Sequence, residues 1–205
     1  QWPLSKMRTE YMGKMIAHRD ELRDHGKTAQ VNPSFHQWRE RQISRGISEL
    51  GVSGPNITHP IVAYELSDGC SMGCWFCGIS AEKFVGYQPY TEEVAELWRG
   101  ILGTMVDRLG KASQTGFCYW ATDPMDNPDY DKFIEDHYHV TGFLPQTTTA
   151  APLKNVALTR RVMALFDKHS SVTNRFSILN LKIFNQVHEE FTAEELMGVE
   201  LVSQN

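Results

Sequence analysis

The chain has 205 residues, 41% of them hydrophobic and 22% charged, with a net charge of -5, a pI near 5.9 and a mean hydropathy of -0.39. This profile fits a globular chain with enough apolar material for a real core, and one domain is the first expectation. No apolar run approaches the roughly 18 residues of a membrane span, the opening QWPLSKMRTEYMGKM lacks a signal-peptide core, and no cluster of Lys and Arg interleaved with aromatics marks a phosphate-tracking surface. Neither a membrane nor nucleic acid is an expected partner, and a cytoplasmic location is expected. The first residue is Gln1 and not Met, so a piece of a longer protein is expected.

Residues 5–25 and 34–50 are rich in charge and helix formers, are separated by a turn at Asn32 and Pro33, and are closed by the breaker-rich GVSGPNITHP. This is an N-terminal helical segment, residues 1–59, read as a packing layer or as a peptide-recognition surface. From residue 60 onward the pattern alternates strand and helix. IVAYELS predicts a buried strand ending at Asp68 and Gly69. Thr91 predicts the cap of a helix whose apolar positions run from Val94 to Leu109 and stop at Gly110. GFCYWAT predicts a second strand, with Asn127 and Pro128 as cap and first residue of the helix that follows. QTTTA predicts a third strand, then a helix presenting Leu158, Val162, Leu165 and Phe166 on one face. RFSILNL predicts a fourth, and Thr192 with Glu195 predicts a capping box. Four strand-helix units imply parallel strands with helices outside and ligands at the strand ends, too few to close a barrel.

Three of the four cysteines, Cys70, Cys74 and Cys77, lie within CSMGCWFC, directly after the first predicted strand. A structural zinc site needs four ligands and a disulfide needs two, so the trio is incomplete on its own. Three thiolates can hold three irons of a 4Fe-4S cluster and leave the fourth open to substrate. A zinc site completed by Cys118 or His59 is the structural alternative. Trp75 is expected to pack against the metal centre. Asp123, Asp126, Asp129 and Asp131 resemble a cation cluster but flank a helix start, where acids suit the helix dipole. Glu65 reads equally as a cluster-mouth group or a satisfied carboxylate. His18, His25 and His36 show no ligand spacing.

The motif C-x-x-x-C-x-x-C, with Phe76 before its last cysteine, resembles the radical S-adenosylmethionine superfamily. The runs YELSDGCSMGCWFCGISAEKF, CYWATDPMDNPDY, PQTTTA, NRFSILN and FTAEELMGVELVSQN further resemble the epimerases that invert L- to D-residues in ribosomally made, proteusin-type precursor peptides. The resemblance spans residues 61–205 and implies an α/β fold: a partial (β/α) barrel of the radical SAM type over residues 60–205, continuing past Asn205. It implies cluster ligation by Cys70, Cys74 and Cys77, with S-adenosyl-L-methionine bound by Phe76, Thr122, Asp123, Thr148, Ser177 and Asn180. The superfamily usually has a Gly-Gly-Glu-like segment where this chain has Ala121, Thr122 and Asp123. The implied activity is an isomerase that generates a 5'-deoxyadenosyl radical and epimerises a ribosomally synthesised precursor peptide, served by an electron donor such as flavodoxin or ferredoxin. Radical thioether crosslinking, radical methylation and a non-catalytic peptide-binding relative are the alternatives. The thiol that returns hydrogen is expected beyond Asn205, because Cys118 reads as a core residue.

Overall fold

Helices dominate the computed structural model, which describes residues 2–27, 31–56 and 60–204. Helix α1 (Pro3–Lys27) and helix α2 (Pro33–Leu50) form the N-terminal part. α2 starts where the sequence places it: Pro33 opens the first turn and the Asn32 side chain accepts the Phe35 N–H at 3.1 Å. α1 is a packing layer along part of its length. Its Met15 and Leu22 are buried, and the Tyr11 hydroxyl bonds the carbonyls of Val172 and Gly198, both at 2.8 Å.

Two small sheets follow. β1 (Ser67–Asp68) and β2 (Gly86–Tyr87) pair antiparallel and frame the cysteine loop. β3 (Thr147–Thr149), β4 (Asn174–Ile178) and β5 (Glu200–Ser203) form a parallel sheet in that order, with Phe176 opposite both Thr149 and Leu201. Helix α5 (Val156–Lys168) crosses from β3 to β4, while α6 (Leu181–Glu190) and α7 (Ala193–Leu196) link β4 to β5. The predicted capping box is present at the start of α7, with Thr192 and Glu195 bonding reciprocally.

The main core lies between the helices and the strands. Trp98 and Leu102 of α3 (Glu92–Leu109) pack with Tyr130, Phe133 and Ile134 of α4 (Tyr130–Thr141) and with Leu158, Val162 and Phe166 of α5. A second cluster of Phe176, Ile178, Val187, Phe191 and Val199 fills the space behind β4 and β5.

The expected partial (β/α) barrel of the radical SAM type does not form. The first two predicted strands form only in fragments: the first is regular only at its end, in β1, and meets the second in a single parallel bridge, Ala63 to Phe117, with Tyr64 N–H bonded to the Phe117 carbonyl at 2.8 Å. Left-handed backbone at Gly69 (φ 74) and Ala121 (φ 56) turns each segment away soon after that bridge. Sheets of two and three strands, each strand two to five residues long, do not close. The predicted cap at Asn127 is also displaced. Asp129 precedes α4, and the Asn127 side chain instead donates to the carbonyls of Leu66 and Gln88, both at 2.9 Å, and accepts the Asp129 N–H. No described helix is long and apolar enough to cross a membrane.

Candidate functional site

The cysteine loop is tied down at its base and free at its tip. Gly69 enters it in the left-handed region, where a Cβ would collide with the Lys83 carbonyl, so only glycine fits without displacement. Backbone bonds then hold Cys70 in place: its N–H donates to the Glu82 carbonyl at 2.8 Å and its carbonyl accepts the Phe84 N–H at 3.2 Å. Beyond that anchor, the Cys77 N–H donates to the Cys74 carbonyl at 3.1 Å, closing a four-residue turn over Trp75 and Phe76. Trp75 is 77% exposed and meets Phe76 edge to face, so the expected role of shielding a metal centre is not what it does.

Beneath the loop lies a polar cluster. Asp126 accepts from the Ser71 N–H at 2.9 Å, from the Ser71 hydroxyl at 2.6 Å, and from Lys154 in a close ion pair. Lys154 also reaches the Ser71 hydroxyl at 2.9 Å and lies over the Phe84 ring. Neighbouring Asp123 is buried and accepts three bonds: from the Met125 N–H, the Thr149 hydroxyl and the Ala150 N–H. The loop is thereby joined to the segments after Trp120 and after β3. Burial works to raise the Asp126 carboxyl, but its bonds from Lys154 and Ser71 outweigh that and hold it below the usual carboxylate range. Burial dominates at Asp123 and pushes its carboxyl up, against the bonds from Thr149, Met125 and Ala150.

The three thiols have different surroundings. Burial raises Cys70, and the nearby charges of Asp123 and Asp126 add to it. Burial, Cys70, Asp123 and Cys77 all raise Cys74. Cys77 is shifted the other way, because its sulfur faces the backbone N–H groups of Ala81, Ile79 and Ser80; the Ala81 N–H lies 3.4 Å from it. The sulfur of Cys77 is thus held by the backbone N–H groups of its own loop.

That arrangement overturns the metal reading. Among the described residues no group of three or more His, Cys, Asp or Glu side chains is disposed to hold a metal ion. The 4Fe-4S cluster, S-adenosyl-L-methionine as cofactor, membership of the radical SAM superfamily and the peptide-epimerase activity all need that cluster, and none of them holds. The crosslinking and methylating alternatives start from the same cluster and are set aside with it. The zinc alternative loses one of its closing ligands, as Cys118 is fully buried in the main core and its thiol is pushed well up by burial; His59 lies outside the described residues.

The remaining sequence candidates are only partly assembled. Asp123 is in the cluster, whereas its bonding partner on β3 is Thr149 and not Thr148, which accepts the Tyr119 hydroxyl at 3.3 Å. Thr122 makes only a 3.5 Å contact to the Asp123 carbonyl. Ser177 is buried in β4 beside Gln204, and Asn180 caps α6 through the Ile183 N–H. Asp129 and Asp131 are engaged by Lys132 and Arg161, which accounts for them without a cation. Glu65 is exposed. Ser71 and Lys154 carried no sequence signal, because the contact that unites them with Asp126 spans distant parts of the chain.

The chain is 60% identical over 203 residues, 99% of its length, to a protein of Sinorhizobium fredii described as uncharacterized protein y4wI. It spans 40% of the length of that curated relative. No family model matches the chain, and no solved structure matches it.

Proposed function

We propose that the cysteine loop is a dithiol site for thiol–disulfide exchange, with Cys77 as the attacking thiolate and Cys74 as the resolving thiol. The observation that carries this reading is the difference between two half-buried thiols at the ends of one turn: the Ala81 N–H lies 3.4 Å from the Cys77 sulfur and such backbone N–H groups shift that thiol down, whereas burial shifts Cys74 up. A low-pKa thiol at an accessible position is the attacking partner in such chemistry, and C-x-x-C spacing favours it. The hydrogen-bonded turn suits closure of the pair, since turn ends lie within about 7 Å and disulfides need Cα atoms roughly 4.4–6.8 Å apart.

In the proposed reaction the Cys77 thiolate attacks one sulfur of a partner disulfide. A mixed disulfide forms, the partner S–S bond breaks, and the released sulfur takes a proton from water. Cys74 then loses its proton and attacks the Cys77 sulfur, forming the Cys74–Cys77 disulfide and releasing the second partner thiol. The partner gains two electrons and two protons, and a cellular dithiol restores the pair. Exposed Trp75, Ile79 and Val85 around the loop supply an apolar surface for a peptide partner. A reducing cytoplasm, where such disulfides are transient, suits the site.

The test is reduction of a model peptide disulfide by dithiothreitol with and without the protein. Acceleration that disappears in Cys77→Ala is expected. No acceleration over dithiothreitol alone, or equal acceleration by Cys77→Ala, would refute the assignment.

A further inference from the structure

An open groove of about 410 Å³ lies beside β1 and β2, lined by residues 65–68 and 85–88. These two segments enter and leave the cysteine loop, and the bridge between Cys70 and Lys83 closes its base, so the groove adjoins the loop. Its lining is mixed. Val85 is 76% exposed and Tyr87 46%, an apolar strip on the segment that leaves the loop. Glu65 and Asp68 are exposed on the segment that enters it.

Neither carboxylate makes an ion pair or a side-chain hydrogen bond among the described residues. Lys154, beneath the loop, is committed to Asp126 and the Ser71 hydroxyl. Together the segments 65–68 and 82–88 carry three acids, Glu65, Asp68 and Glu82, against one base, Lys83. An arriving cation therefore finds carboxylates with no internal partner to displace, while an arriving anion is repelled. Reach is short. Val85 and Cys77 are eight positions apart, so a partner needs at most about eight extended residues between its reacting sulfur and the groove.

We infer that this groove takes the flank of the disulfide partner, an extended peptide segment with Lys or Arg beside an apolar residue. The apolar side chain lies on Val85 and Tyr87, and the cation meets Glu65 and Asp68. The identity of the occupant as a disulfide partner rests on the dithiol reading of the loop, whereas the preference of the groove for a basic over an acidic peptide does not. Exposed ion pairs are individually weak, so the preference is a severalfold one, expressed in the association rate and strongest at low salt.

The probes are two peptides, each with one internal disulfide, that differ only in carrying Lys or Glu beside a Leu in the segment after the second cysteine. The Lys peptide should react with the reduced protein about three to ten times faster than the Glu peptide at low ionic strength, and the ratio should fall toward one in about 0.5 M salt. Glu65→Gln combined with Asp68→Asn should bring the ratio toward one at low salt as well, and both positions are exposed, so the variant keeps its fold. The same peptides with Ser for Cys report on the groove without thiol chemistry: saturable amide chemical-shift changes at residues 65–68 and 85–88 are expected with the Lys form and much weaker ones with the Glu form. No exchange with either disulfide peptide would refute the dithiol reading. Equal exchange rates, a ratio undiminished in the double variant, or equal or absent shifts with the two Ser peptides would overturn the inference about the groove.

Discussion

Lowering the pH should destabilise the fold through one buried imidazole. His137 is fully buried in α4, its Nδ1 lies 2.8 Å from the Phe143 carbonyl, and its Nε2 has no partner. The carbonyl can only accept, so Nδ1 carries a proton, and burial disfavours a second one on the unpartnered Nε2. Burial lowers its pKa from 6.5 to about 4, against the bond to Phe143, which raises it. Between those two values the unfolded chain binds a proton that the folded chain does not. The stability contributed by the neutral ring is therefore complete above about pH 6.5 and is lost as the pH falls toward 4. From about pH 7.5 to about pH 4.5 this amounts to about 2.5 kcal/mol. Carboxylates add their own losses, so the decisive quantity is the difference between the parent and His137→Gln, which retains a donor but does not titrate. Urea unfolding followed by circular dichroism at the two pH values measures it. Equal losses in both proteins, or a folded-state His137 that titrates near 6.5 by NMR, would refute the reasoning.

Asp126→Ala should lower the unfolding free energy by about 2–3 kcal/mol, since it removes bonds from Ser71 and Lys154 to a charged acceptor, and should speed alkylation of Cys70 at pH about 8 by removing a nearby negative charge. An unchanged Cys70 rate by peptide mass mapping would count against the cluster's influence on the loop. Gly69→Ala should cost about 1–3 kcal/mol in urea unfolding through strain at a left-handed position facing the Lys83 carbonyl. A neutral effect would mean that the loop base is laxer than described. Thr192→Ala should cost about 1 kcal/mol by removing half of the capping box.

Local chemistry was legible in the sequence wherever a few adjacent residues decide the outcome. Asn32 and Pro33, Thr91, and Thr192 with Glu195 start helices because each satisfies backbone donors within its own turn. The apolar spacing of α3 and α5 likewise yields the buried faces Trp98 and Leu102, and Leu158, Val162 and Phe166. Pairing between distant segments was not legible. IVAYELS and GFCYWAT have strand composition, but the backbone turns at Gly69 and Ala121 and they share only one bridge with each other, and composition does not register such turns. β5 went unread because a short strand after a capping box has no alternation long enough to detect. At the site, Asp123 was singled out for a cofactor, whereas its bonds to Thr149 and Ala150, like the place of Lys154, depend on β3 delivering its end to the segment after Trp120. The cysteine trio misled because its spacing is compatible with a cluster. The direction of the Cys77 sulfur, toward the Ala81 N–H, is a property of the folded loop.

Trapping the first covalent step tests the dithiol account most directly. Cys74→Ser leaves the attacking thiol but removes the one that resolves it, so incubation with a peptide disulfide should accumulate a stable mixed disulfide. Mass mapping of the protein's peptides should place the adduct on Cys77. Absence of an adduct, or its placement on Cys70, would contradict the account.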